Sequence, residues 1–166
     1  MFKPELLSPA GTLQNMRYAF AYGADAVYAG QPRYSLRVRN NEFNHENLQL
    51  GINEAHALGK KFYVVVNIAP HNAKLKTFLR DLKPVIDMGP DALIMSDPGL
   101  IMMVREAFPQ MDIHLSVQAN AVNWATVKFW QQMGLTRVIL SRELSLEEIA
   151  EIRAEVRSEE RRVGKE

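Results

Sequence analysis

One phrase recurs along the chain: a glycine, a short apolar run, then polar or small residues. It occurs in YGADAVYAGQ, LGKKFYVVVNIA, MGPDALIMSDPG and MGLTRVILSREL. Gly23, Gly59, Gly89 and Gly134 suit the left-handed residue that closes a helix, and the runs after them are rich in Val, Ile and Tyr. Each phrase therefore predicts helix end, turn, strand and loop. DIHLSVQAN, after Pro109, predicts another strand without the glycine, and PELLSPAG predicts one at the front.

Between these strands lie segments with helical spacing: TLQNMRYAFAYG, NHENLQLGINEAHALGK, KLKTFLRDLKPVIDMG, GLIMMVREAF, NWATVKFWQQMG and SLEEIAEIRAEV. Ser145 with Glu148 three residues later forms a capping box that marks the start of the sixth helix. Pro84 falls inside the third helical segment and is expected to kink or divide it. The order is six strand-helix units with short connections, apart from the longer loop QPRYSLRVRNNEF after the second strand.

Strict alternation of this length implies a parallel sheet covered by helices, either doubly wound or closed into a barrel. SPAGTLQN carries a single glycine, so no Gly-x-Gly-x-x-Gly fingerprint supports a dinucleotide fold. The expected architecture is α/β, an incomplete TIM-like (β/α) barrel with about six of the usual eight units. Residues 1–156 would form the N-terminal part of the barrel domain.

Composition narrows this picture. A chain of 166 residues, 47% hydrophobic and 23% charged, has the size and apolar content of one ordinary domain. No run approaches the roughly 18 apolar residues of a membrane span, and MFKPELLSPAG lacks the order of a secretory signal, so a cytoplasmic protein is expected. The absence of cysteine excludes disulfides, thiolate metal sites and a cysteine nucleophile within these residues. The last ten residues, RSEERRVGKE, break the apolar periodicity and resemble the in-frame translation of a sequencing-library adaptor; residues 157–166 are expected to be such an artefact or a disordered tail. Setting them aside leaves 16 basic and 16 acidic residues, from 20 and 19. That balance gives no support to nucleic-acid binding by this segment.

In a parallel barrel the C-terminal strand ends share one face, where active sites are assembled. The sequence puts polar residues there: Ser8, Tyr28, Gln31, Asn67, Asp97, Gln118, Asn120, and Ser141-Arg142-Glu143 after the sixth strand. Loops begin at strand ends, so single polar residues there are common in any α/β protein. Asp97 before Pro98-Gly99 suits a helix cap better than catalysis, and Asn120 and Asn123 equally suit caps for the fifth helix. Arg37 and Arg39 in SLRVRNNEF alternate, so an extended loop would aim both guanidiniums one way, a clamp for carboxylate or phosphate. Solvated arginines on a loop remain the even alternative.

The histidines carry little chemistry. His45, His56 and His71 show no metal-ligand spacing, and His114 within the fifth strand suits a structural role. Trp124 and Trp130 on one helix fit packing better than base stacking. No nucleophile elbow, His-Glu-x-x-His helix or P-loop is present.

Four blocks, LLSPAGTLQNMRYAFAYGADAVYAG, SLRVRNNEF, LSVQANAVNWATVKFW and VILSRELSLEEI, resemble the collagenase-like peptidase family U-32, in the same order and over Met1 to about Val156. The resemblance is closest to the bacterial members that hydroxylate tRNA. It implies a fragment of an enzyme that installs a hydroxyl on the fifth carbon of the wobble uridine, without molecular oxygen and depending on prephenate as cosubstrate. Relatives hydroxylate ribosomal RNA or a quinone precursor, and the family's older label is peptidase. The family's domain holds an iron–sulfur cluster on cysteines that would follow the sixth helix, so this fragment alone is expected to be inactive. Arg37 and Arg39 match the family's arginine-containing block and are the leading candidates for holding prephenate carboxylates. Arg142 and Glu143 follow, with Asn67 and Gln118 as hydrogen-bonding groups. Two other outcomes stay open: a peptidase acting on peptide substrates, which would lack a nucleophile with a recognisable base partner here, and a binding module without catalysis.

Overall fold

The computed structural model describes residues 3–36 and 41–163. Six strands, β1 (Leu7–Pro9), β2 (Ala26–Gly30), β3 (Lys61–Val66), β4 (Ala92–Met95), β5 (Ile113–Leu115) and β6 (Arg137–Val138), alternate with six helices. These are α1 (Leu13–Ala21), α2 (His45–Ala57), α3 (Asn72–Asp87), α4 (Pro98–Ala107), α5 (Trp124–Gln132) and α6 (Leu146–Val163).

All five strand pairs are parallel, and the sheet order follows the chain order from β1 to β6. This order decides between the two architectures the sequence allows. A doubly wound sheet reverses direction at a switch point so that helices cover both faces. Here the order never reverses, so right-handed crossovers place every helix on the same face and leave the other face to curl inward. The result is six parallel strands of an incomplete TIM-like barrel.

Side chains alternate between the two faces along each strand. Val27, Phe62, Val64, Val66, Leu93, Met95, Ile113 and Leu115 pack outward beneath the helices with Met16, Leu48, Ile52, Phe78, Leu82 and Leu100. Ala26, Tyr63, Val65, Ala92 and Ile94 form a second cluster on the inner face, joined by Leu7, Tyr28 and Ile139. Because parallel strands of this kind are covered on both faces, they read as continuous apolar runs in the sequence.

The turns follow their local chemistry. Gly23, Gly59, Gly89 and Gly134 all have positive φ, between 66° and 99°. At Gly134 a side chain is doubly excluded, because an added Cβ would also lie 2.8 Å from Nη2 of Arg105. Side chains of Thr12, Asn44, Asp97 and Asn123 accept hydrogen bonds from the first turns of α1, α2, α4 and α5. Ser145 and Glu148 exchange both hydrogen bonds of the capping box. Asp97 and Asn123 are thus caps, while Asn120 takes the left-handed conformation at φ 52° after a 3-10 turn over Val117–Ala119.

Four expectations need adjustment. Pro84 does not divide α3, which runs unbroken to Asp87 because the proline lies in its last turn, where the missing N–H costs one bond. The fifth strand stops at Leu115, and VQA turns as a 3-10 helix around the Ser116 side chain. The sixth strand pairs only over Arg137 and Val138, although Ile139 N–H still donates to Leu115. The backbone of 157–163 continues α6 instead of leaving as a disordered tail; Arg and Glu favour helix without any apolar stripe.

Candidate functional site

The C-terminal strand ends enclose a cavity of about 330 Å³ at the barrel mouth. Its floor is apolar, made by Leu7, Tyr28, Val65, Ile94 and Ile139, and its polar wall is Ser35, Asn41, Asn67, Ser116 and Gln118. The described lining carries no charged side chain. The pocket therefore suits an uncharged or flat group held by hydroxyls and amides.

The segment after β2 forms one side of this mouth, and buried hydrogen bonds fix it. Gln31, 1% exposed, accepts at Oε1 from the backbone N–H groups of Arg33 (2.7 Å) and Tyr34 (2.8 Å). The Tyr34 hydroxyl donates to Asp81 on α3 at 2.9 Å, and Arg33 pairs with the same carboxylate at 2.8 Å. Asn67, one residue past β3, accepts from Leu36 N–H at 3.1 Å, while its own carbonyl accepts from Ser96 Oγ at 3.0 Å. Asn67 thereby links the ends of β3 and β4 to the loop over the mouth. Gly30 is required by close approach: a Cβ there would meet Ser35 Oγ at 2.5 Å.

Of the residues singled out from the sequence, Asn67, Gln118 and Tyr28 line the cavity. Gln31 supports the loop instead, and Ser8 pairs with Val27 in the register that faces the helices. Ser141 is buried, its N–H donating to Ala121, whereas Arg142 and Glu143 are exposed and line no part of the cavity. Arg37 and Arg39 lie outside the described residues; their described neighbours Leu36 and Asn41 stand at the mouth. Ser35, Asn41 and Ser116 were not legible as site residues, since small polar residues in a loop carry no spacing signal.

The opposite end of the barrel is charged. Glu5 accepts from Arg137 (2.6 Å), from the Tyr63 hydroxyl (2.8 Å) and from Lys61 (3.3 Å). Burial alone would raise the Glu5 pKa, but the hydrogen bonds from Arg137 and Tyr63 and the Arg137 charge bring it down to about 2. Burial and the Glu5 carboxylate push Tyr63 up to about 12. His114 packs edge-on against Tyr63, with ring centres 4.7 Å apart. Burial first, then the Arg137 charge, lower its pKa to about 4, and its Nδ1 has no hydrogen-bond partner. It is a neutral structural histidine, as its strand position suggested.

Among the described residues no group of three or more His, Cys, Asp or Glu side chains could hold a metal ion, and the whole chain lacks cysteine. These residues do not fit an iron–sulfur cluster. No helix among the described residues is long and apolar enough to cross a membrane.

A parallel half-barrel with a pocket at its C-terminal mouth defines an α/β-barrel enzyme scaffold. The chain belongs to peptidase family U32, whose model matches residues 11–161. It is 93% identical over 156 residues to tRNA hydroxylation protein P of Escherichia coli, covering 94% of this chain and 34% of that protein. It is 86% identical over 155 residues to tRNA hydroxylation protein P of Haemophilus influenzae, covering 93% and 34%. The chain thus spans about a third of the length of these relatives. The solved U32 peptidase Mk0906 superposes with a TM-score of 0.72 at 13% identity, over 93% of this chain and 68% of that one, a likeness of fold.

Proposed function

We propose that the chain is the barrel portion of a cytoplasmic tRNA-modifying enzyme that 5-hydroxylates the wobble uridine in a prephenate-dependent, oxygen-independent reaction. The observation that carries this reading is the 93% identity over 156 residues to a protein named for tRNA hydroxylation. The mouth is compatible with it: an apolar floor with amide and hydroxyl walls can seat a planar ring and hydrogen-bond its edges. A dicarboxylate such as prephenate needs cations, which the described lining lacks. Arg37 and Arg39 are proposed to supply them, from the loop whose flanks Leu36 and Asn41 border the mouth. Arg142 and Glu143 are exposed and would serve only as rim contacts. Any iron–sulfur cluster in the full-length protein takes its ligands from outside these residues, so the chain by itself is proposed to be inactive.

Complementing a hydroxylation-deficient strain with the full-length protein, and measuring tRNA by mass spectrometry, tests the reading. Restored 5-hydroxylation supports it. Unrestored hydroxylation together with peptide cleavage by pure protein would replace it with the peptidase reading, and ligand binding with neither activity would leave a binding module.

A further inference from the structure

The balanced total charge conceals a segregation that the fold makes spatial. Along α3, residues 72–87 carry Lys74, Lys76, Arg80 and Lys83 against Asp81 and Asp87, a net of +2. Three strand-helix units further on, residues 146–156 of α6 carry Glu147, Glu148, Glu151 and Glu155 against Arg153, a net of −3. The outer wall of the half-barrel is therefore net cationic at its middle, along α3, and net anionic at the end that carries α6.

Lys76, Arg80 and Lys83 stand at i, i+4 and i+7, one exposed stripe along α3, opposite the face that buries Phe78, Leu82 and Val85. Helical rise spaces them about 6 Å and about 4.5 Å apart. Two carboxylates neutralise part of the stripe, Asp81 beside Arg80 and Asp87 beside Lys83. Asp81 is 14% exposed and is already held by Arg33, Tyr34 and Arg80. Lys83 pairs with Asp87 at the far end of the helix, whereas Lys74 and Lys76 make no ion pair among the described residues. The stripe also has a direction. Helices run antiparallel to the strands they follow, so α3 begins at the barrel mouth, where Asn67 lines the cavity, and descends the outer wall.

We infer that the exposed cationic stripe of α3 is the track on which the RNA backbone lies while its modified nucleotide enters the mouth. This rests on the tRNA-modifying reading above and adds to it which flank the tRNA uses. Repeated phosphates match a helix wall on which Lys74, Lys76, Arg80 and Lys83 outnumber the carboxylates of Asp81 and Asp87, and α6 would repel the same backbone.

The test uses the full-length protein and an unmodified tRNA transcript with uridine at the wobble position. Binding is measured between 50 mM and 200 mM salt for wild type, for Lys76→Gln with Arg80→Gln, and for a control pair, Lys3→Gln with Arg153→Gln. Removing one cation that neutralises a phosphate lowers the slope of log K against log salt by about 1, so the α3 pair should lower it by about 2 and weaken binding about a hundredfold at 0.1 M. The control pair should leave both unchanged, and hydroxylation by the α3 variant should show a raised KM for tRNA with kcat retained. An α3 variant that binds with wild-type affinity and slope, while the wild type hydroxylates the transcript, overturns the track and leaves the proposed function standing. A wild type that neither binds nor hydroxylates the transcript overturns both.

Discussion

Replacing Glu5 by Gln tests whether charge at the barrel floor ties β1 to β6 across the lumen. Glu5 precedes β1 and Arg137 begins β6, so their 2.6 Å contact spans the inner face between the first and last strands of the sheet. The Glu5 side chain is 20% exposed and its pKa is about 2, against an ordinary 4.5. At about 1.36 kcal/mol per unit that difference is worth about 3 kcal/mol, and solvent screening through the exposed part leaves about 2 kcal/mol. Because the folded pKa lies below the unfolded one, this stability is fully present above pH 4.5 and is lost as pH falls towards 2. Glu5→Gln should therefore lower unfolding free energy by about 2 kcal/mol at pH 7 and by less than half of that at pH 3, measured by urea denaturation of the full-length protein. A loss below about 0.5 kcal/mol at pH 7, or an equal loss at both pH values, would falsify the claim that the clasp is ionic.

His114→Phe should be neutral or stabilising at pH 7, since it keeps the edge contact with Tyr63 and removes the unpartnered Nδ1. Its pKa of about 4 is depressed from 6.5, so wild type should lose stability as pH falls from 6.5 to 4, and the variant should lack that component; unfolding across this range reads it. Gly30→Ala forces Ser35 away from a 2.5 Å contact and, if the proposed prephenate seat is right, should raise the full-length protein's KM for prephenate at least severalfold with the fold retained by circular dichroism; unchanged kinetics would remove Ser35 from the mouth. Asn67→Ala frees Leu36 N–H and should speed its hydrogen exchange while α3 amides hold their protection. If Arg37 and Arg39 hold prephenate as proposed, Arg37→Ala or Arg39→Ala in the full-length protein should weaken prephenate binding about ten- to hundredfold by calorimetry, as charged hydrogen bonds are worth roughly 1.5–3 kcal/mol, and unchanged binding would remove both from the site.

How legible each feature was depended on whether its partner lies nearby in the sequence. The strand-helix alternation, the four closing glycines and the Ser145–Glu148 box are local, because a helix end is specified by residues within one turn of it. Asn67 and Gln118 were legible because they follow apolar strands, and a parallel sheet sends every such position to the same rim. Ser35 and Asn41 were not: Ser35 follows a turn held by Gln31 and Asp81, the latter 47 residues beyond Tyr34, and Asn41 is held at the mouth by its amide donating to the Gly30 carbonyl.

The floor and the flank show the same limit from the other side. Arg137 drew no attention in the sequence, because its partner Glu5 is 132 residues away and is disclosed only when curvature brings β1 and β6 to one lumen. Net charge fails likewise, because a sum over the chain cannot distinguish mixed charges from charges sorted onto α3 and α6. The three regions divide the chemistry between them. Opposite charges at the floor neutralise each other within the fold, the described mouth is left uncharged, and cations outnumber carboxylates on the outer wall formed by α3. In such a barrel, attraction of a polyanion can be altered on α3 without touching the pocket, and pocket contacts can be altered without touching the attraction. A double-mutant cycle between Lys76→Gln and Asn67→Ala should accordingly show additive effects on tRNA binding within about 0.5 kcal/mol. A coupling well above that would mean that the loop held by Asn67 and the cationic stripe grip the RNA as one surface.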